Sequence, residues 1–152
     1  MDLQFIWTNG NDETFKHFYF VTEQYYNRLV GGEEKRKQFI PYNVSSAVDN
    51  VLLVFLGNEA VGCSGLKKYS DTDAEIKRVW VEPEYRRHHI AAQMMTALEE
   101  KAKTMGYKRT ILQTREIQSD AVRLYTGRGY HQIDNYPPYD TLDEAICFAK
   151  EL

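Results

Sequence analysis

Four basic or titratable side chains, Arg86, Arg87, His88 and His89, stand between a strand-like run, "VWVEPEY", and a helix-like run that begins at Ile90. A helix N-terminus leaves backbone N–H groups without partners, and its dipole favours negative charge, so a strand–loop–helix junction is a natural seat for a phosphate. Arg86 and Arg87 add positive charge there, and Ala91 and Ala92 keep side-chain bulk low where the first turn would approach a ligand. Any such loop has free N–H groups, however, and charge clusters are commonly solvated surface, so these residues alone leave both readings open. The thiols offer less chemistry. Cys63 and Cys147 each sit in an apolar run ("AVGCSGL" and "EAICFAK"), with no CxxC and no His at metal-ligand spacing, which reads as two structural thiols and no metal.

The elements that must position this loop follow from hydrophobic period. "LQFIWTN" reads as a strand, and Phe15, Phe18, Thr22, Tyr25, Tyr26 and Leu29 then recur at helical spacing. Asp12 or Thr14 can cap that helix and Gly31-Gly32 can end it. Residues 33–50 predict a second short helix and a loop, broken at Pro41. From Val51 the pattern becomes "VLLVFL", "AVGCSGLKKY" and "AEIKRVWV", with turns at Gly57-Asn58 and Ser70-Asp71, an antiparallel meander. Ile90, Ala91, Met94, Leu98, Ala102 and Met105 predict one helix face, stopped by Gly106. "RTILQT" is a strand, "SDAVRLYTGRG" a helix and "EAICFAKEL" a last strand, so a helix joins two successive strands and favours a parallel crossover. The fold class is α/β (α+β): a mixed, mostly antiparallel sheet flanked by helices, with a βαβ unit.

A chain of 152 residues, 43% hydrophobic, supports one domain over 1–152 and one core. Its net charge of -3 argues against a surface built for nucleic acid. Neither a basic leader nor a membrane-length apolar run occurs, so the expectation is a cytoplasmic protein with no membrane partner.

"VEPEYRRHHIAAQMM" resembles the acyl-CoA-binding motif of the GNAT superfamily of acetyl-CoA-dependent N-acetyltransferases, (Gln/Arg)-x-x-Gly-x-(Gly/Ala). Arg86 and Ala91 match its first and last places, and His89 stands where the family has Gly. "AVRLYTGRGY" resembles the family's Ala-x-x-Leu-Tyr-x-x-x-Gly-(Phe/Tyr) segment through Ala121, Leu124, Tyr125, Gly129 and Tyr130. Gln118 stands where the family often has Asn, and Glu75 lies on the strand where several members place a catalytic carboxylate. The order of elements is also the family's, so the likeness spans nearly the whole chain and is strongest over residues 74–130.

The resemblance implies acetyl transfer to an amine. The main chain of Val79, Trp80 and Val81 would pair with the pantetheine arm, and N–H groups of Arg87, His88, His89, Ile90, Ala91 and Ala92 would hold the pyrophosphate. Tyr125, a phenol still protonated at neutral pH, would be the general acid for the departing thiolate. Glu75 would be the base, although a solvated strand carboxylate beside Asp71 and Asp73 is the competing reading. His89 is expected to be a tolerated replacement, with helical φ and ψ, that leaves the cofactor site intact. The acceptor, a small-molecule or peptide amine, would meet "EEKRKQFIPYN" and "DNYPPYDTLDE", where Asp134, Asp140, Asp143 and Glu144 among Tyr136 and Tyr139 suit a cationic amine. A homodimer is left open. Three other classes compete: a non-catalytic acyl-CoA-binding module of the same fold, a nucleotide-phosphate domain, and covalent catalysis by Cys63 with His88 or His89. The second lacks a Walker-type Gly-Lys-Ser/Thr, and nothing in the sequence brings the third set together.

Overall fold

A computed structural model describes residues 1–37 and 44–152. Among them seven strands form one sheet: β1 (Leu3–Thr8), β2 (Asn50–Leu56), β3 (Glu59–Lys68), β4 (Asp73–Val81), β5 (Arg109–Arg115), β6 (His131–Ile133) and β7 (Ala145–Glu151). Three α-helices accompany it, α1 (Glu13–Val30), α2 (Ile90–Thr104) and α3 (Ser119–Gly127). The strand order is β1-β2-β3-β4-β5-β7-β6, antiparallel at every pairing except β4 with β5. The expected mixed, mostly antiparallel sheet is present, and α2 supplies the crossover between its two parallel strands.

β2 shows why an apolar run suits a central strand. Leu52 and Val54 join one core with Met94, Met95 and Leu98 of α2, whereas Val51 and Leu53 join a second with Phe15, Phe18 and Tyr19 of α1. The period of two divides the run between opposite faces, and both faces are covered. Burying each of the two phenylalanines contributes roughly 1.5–3 kcal/mol relative to leaving it exposed. α1 starts where Asp12 accepts a hydrogen bond from the Phe15 N–H at 3.1 Å. It ends at Gly31, whose φ of 91° lies in the left-handed region.

Three expectations need correction or completion. Met105 is not on the buried face of α2, because the helix stops at Thr104 and Met105 caps it, 48% exposed. Among the described residues after α1 there are two 3₁₀ turns, Glu33–Arg36 and Ser45–Ala47, where one short helix was expected; residues 38–43, with the break expected at Pro41, lie outside the described set. β6 is an added strand, three residues long, that completes the sheet edge against β7.

The sheet opens where the site lies. β4 and β5 pair only through Asp73 with Arg109, Ala74 with Thr110 and Glu75 with Ile111. Beyond these, β4 follows β3 as far as Val81 opposite Gly62, and β5 follows β7 as far as Arg115 opposite Ala145, so the two parallel strands part into a wedge. β4 also bulges. Cys63 and Gly65 of β3 face Trp80 and Lys77, which leaves one extra residue on β4, and Arg78 there has a φ of 53°. Gly62 lets this edge sit close, since a Cβ would stand 2.9 Å from the Trp80 carbonyl oxygen.

Candidate active site

Two cavities open into the wedge. The larger, about 520 Å³, is walled by Val79, Trp80 and Val81 of β4, by Arg86, Arg87, His89, Ile90, Ala91 and Ala92 of the loop and first turn of α2, and by Gln118 and Tyr125. The smaller, about 100 Å³, is walled by Glu75, Lys77 and Arg78 of β4, by Arg36, and by Arg115 and Tyr139. Tyr26, Val79, Gln118, Ala121 and Tyr125 line both. Of the residues expected at the site, His88 lines neither and is exposed.

The loop is shaped by backbone more than by its cationic side chains. Arg86 turns back on β4: its Nε donates to the Val81 carbonyl at 2.9 Å and its guanidinium lies 4.7 Å from the centre of the Trp80 ring. The Arg86 N–H is used by the Pro83 carbonyl and the Gln93 N–H by the His89 carbonyl. Among the described residues, none of the six amides between them, 87–92, donates to a backbone carbonyl, and no side chain caps α2. Arg87 and His89 have φ of 68° and 61°. The right-handed helical φ and ψ expected of His89 from the sequence are therefore not what it adopts; it holds the left-handed conformation in which glycine carries no steric cost.

Tyr125 projects from α3 with 7% exposure, and its hydroxyl hydrogen-bonds to no described residue. Burial pushes its pKa well up, with the Tyr26 hydroxyl adding to the shift, so it keeps its proton at neutral pH. Gln118 precedes α3, joined to β5 by its N–H to the Arg115 carbonyl and, more weakly, by the Thr114 hydroxyl at 3.5 Å from its Oε1.

Glu75 is not a solvated strand acid: it is 4% exposed. The Tyr136 hydroxyl donates to its Oε2 at 2.7 Å, and the Lys77 Nζ stands 3.9 Å from its Oε1. Lys77 also donates to the Tyr139 hydroxyl at 2.9 Å. Burial lowers the Lys77 pKa in spite of Glu75, and burial followed by the Glu75 charge pushes Tyr136 well up. The neighbouring acids behave differently. Asp73 takes a bidentate hydrogen bond from Arg109, at 3.1 and 3.0 Å, and Asp71 is exposed beside Lys68. Asp134, Asp140, Asp143 and Glu144 are all exposed and line neither cavity. Tyr136 and Tyr139 thus serve Glu75 and Lys77, and the acids around them form no cationic-amine cage.

Behind the bulge, Glu23 of α1 holds two arginines. Arg78 donates to Glu23 at 2.8 Å and to the Thr22 hydroxyl at 3.0 Å, with its guanidinium 3.9 Å from the Tyr19 ring centre. Arg36 donates to the same carboxylate at 2.5 and 3.1 Å. Burial alone would raise the Glu23 pKa, but the Arg36 hydrogen bond and the Arg78 charge outweigh it and hold the carboxyl low. Lys77, Arg78 and Arg115 were not singled out by the sequence, and Arg36 entered only within the segment "EEKRKQFIPYN" expected to meet the acceptor.

Both cysteines are buried and free; burial pushes the Cys63 thiol far up and that of Cys147 up to about 11, neither suited to nucleophilic use. Among the described residues no group of three or more His, Cys, Asp or Glu could hold a metal ion, and no helix is long and apolar enough to cross a membrane.

Residues 8–130 match the family described as Acetyltransferase (GNAT) family. A relative in Bacillus subtilis (strain 168), the uncharacterised N-acetyltransferase YsnE, is 28% identical over 98 residues, which are 63% of this chain and 65% of that protein. A Klebsiella pneumoniae protein described provisionally as an acyl-CoA N-acyltransferase superposes with a TM-score of 0.80 at 22% identity, over 99% of this chain and 97% of its own. A GNAT family acetyltransferase from Elizabethkingia anophelis, solved with acetyl-CoA bound, has a TM-score of 0.70 at 18% identity over 99% and 98%. At these identities the structural likeness shows the fold.

Proposed function

Because the chain belongs to the GNAT family of acetyltransferases, we propose that it transfers an acetyl group from acetyl-CoA to a primary amine of a small molecule or peptide, directly, within a ternary complex. The observation that carries this reading is the meeting of the two cavities at Tyr125. A long cleft bounded by an unpaired strand edge and six available loop amides adjoins a small pocket holding a buried carboxylate, and of the two phenols that line both, Tyr26 and Tyr125, Tyr125 is the one carried on α3 in the family-like Leu-Tyr segment. The features of the cleft fit acetyl-CoA: a wedge in the sheet for the extended arm, and amides 87–92 at the start of α2 for the pyrophosphate. Acetyl-CoA supplies the activated thioester carbonyl.

This chain's residues then divide the remaining work. Val79, Trp80 and Val81 offer main-chain groups along the open edge of β4, where a backbone N–H can polarise a carbonyl. Glu75, directly or through water, takes a proton from the amine. As the N–C bond forms and the C–S bond breaks, the Tyr125 hydroxyl delivers its proton to the leaving sulfur. The Tyr136 hydrogen bond fixes the Glu75 carboxylate. A non-catalytic acyl-CoA-binding module would need the cleft alone, so the buried carboxylate and the phenol favour an enzyme. Two buried free thiols suit a reducing, cytoplasmic setting.

Thermal denaturation with acetyl-CoA, CoA and ATP, followed by thiol release with an amine panel, tests this reading. Acetyl-CoA at ~100 times its Kd should stabilise by roughly 2.7 kcal/mol. Stabilisation by ATP with none by CoA would overturn it.

A further inference from the structure

The smaller cavity has an unusual wall. Four cationic residues line it, Arg36, Lys77, Arg78 and Arg115, and Glu75 is the one acidic residue lining it among the described residues. Two further carboxylates reach these cations from outside: Glu23, shared by Arg36 and Arg78, and Glu144, which contacts Arg115. Four positive charges against three negative leave an excess of one, and Glu144 is 64% exposed, where solvent and salt weaken its effect. Residues 38–43, outside the described set, read Gln-Phe-Ile-Pro-Tyr-Asn and bring no Asp, Glu, Lys or Arg to the balance.

Such a wall is hostile to a polyamine. A second ammonium would compete with Lys77 for Glu75, across a gap of 3.9 Å, in a pocket that three arginines also line. A molecule with opposite charges a few bonds apart finds the reverse: its amine faces Glu75, and its anion faces Lys77 and Arg115. The planar fork of Arg115 and the ammonium of Lys77 are both built to donate charge-assisted hydrogen bonds to a carboxylate. The small volume, about 100 Å³, leaves little room for a bulky head.

We propose that the acceptor is a small amine carrying its own carboxylate, of the amino-acid type, with that carboxylate received by Lys77 and Arg115. The inference rests on the acetyl-transfer reading above and names the substrate class of the same site. The reaction stays balanced as written there: the amine loses its proton toward Glu75, and the carboxylate of the acceptor is unchanged.

The test uses matched pairs: an amino acid and its decarboxylated amine (alanine with ethylamine, serine with ethanolamine), phosphoethanolamine with ethanolamine, and spermidine. Each is measured twice, by calorimetric binding to the protein without acetyl-CoA and by kcat/KM for acetylation. The carboxylate member should lead its partner by about tenfold or more in both measurements. Arg115→Gln and Lys77→Met should shrink that ratio, and Arg115→Lys should restore part of it. Equal or better use of the decarboxylated amine or of spermidine overturns the inference, as does a preference confined to the phosphate pair or a ratio unchanged in both variants. Separate titration with acetyl-CoA keeps the two readings apart. If acetyl-CoA binds and only cationic or neutral amines are acetylated, the acceptor class alone is wrong; if it does not bind, the acetyl-transfer reading falls and takes this one with it.

Discussion

His89→Gly is the perturbation whose sign the backbone decides. His89 has φ 61° and ψ 21°, and its side chain makes no cap hydrogen bond to α2, so the substitution removes no such bond. A non-glycine residue in the left-handed region costs roughly 1–2 kcal/mol, and glycine returns about 0.4–1 kcal/mol of that by enlarging the freedom of the unfolded chain. The net is a stabilisation of about 0.5–1 kcal/mol, which for a domain of this size is roughly 1–4 °C in Tm. Gly31→Ala supplies the mirror image. Its φ is 91° and a Cβ there meets nothing within 4 Å, so the loss is purely conformational, about 1 kcal/mol in the other direction. Both are read by differential scanning calorimetry on the ligand-free protein, with acetyl-CoA affinity measured in parallel and expected to change by about tenfold or less. A lower Tm for His89→Gly would refute the strain argument. Acetyl-CoA binding gained by the glycine variant and absent from the parent would show that His89 closes the site.

Tyr125→Phe keeps the buried ring and removes the proton, so turnover should fall by roughly 10²-fold or more, with no rescue at higher pH; activity equal to the parent removes the general-acid role. Glu75→Gln should lower kcat/KM most near neutral pH and recover in part as alkaline pH supplies neutral amine, and a flat loss across the pH profile would indicate structural damage in place of lost base catalysis. Tyr125, Tyr130, Tyr136 and Tyr139 all have pKa values raised, chiefly by burial. Their folded values exceed the unfolded value near ~10, so their contribution is complete below that pH and is lost as pH climbs beyond it. Lys77 acts in the opposite sense, its lowered pKa relieving a penalty as pH rises toward ~10.4, but one lysine is outnumbered by four tyrosines. Urea midpoints should therefore decline from about pH 10 upward, and a midpoint that held constant to pH 11 would contradict the burial of these phenols.

The sequence carried the fold well where period is strong. Alternation and apolar runs mark β2, β3, β4, β5 and β7, and the helical face through Ile90, Met94, Leu98 and Ala102 marks α2. It failed where signals are short or where packing reverses a local preference. The "HQI" of β6 offers no apolar alternation, and becomes a strand because β7 presents a free edge. Met105 fits the helical period but falls one residue past the last helical turn. The site shows the same division. Motif spacing picks out the loop and Tyr125; Glu75 enters only through the family resemblance, against the competing reading of a solvated carboxylate, Tyr139 enters only as part of an acceptor loop, and Lys77 carries no signal until the β4–β5 split and the loop before β7 enclose it. No sequence pattern announces the positive φ at Arg78, which arises from an extra residue in β4 relative to β3.

The wedge also has a mechanical meaning. Three residue pairs join the four-stranded half of the sheet, β1 to β4, to the half made of β5, β7 and β6, and α2, packed on β3, β4 and β5, is the brace across the seam. Few rungs of the ladder cross that seam, and side-chain bonds from Arg109 to Asp73, Tyr136 to Glu75 and Lys77 to Tyr139 supplement them at the closed end. An extended ligand that bonds to the free edge of β4 and also touches α3 fastens both halves at once. Amide hydrogen exchange along the seam should then slow on ligand binding at positions distant from any contact, because what the ligand adds is a missing rung between two plates.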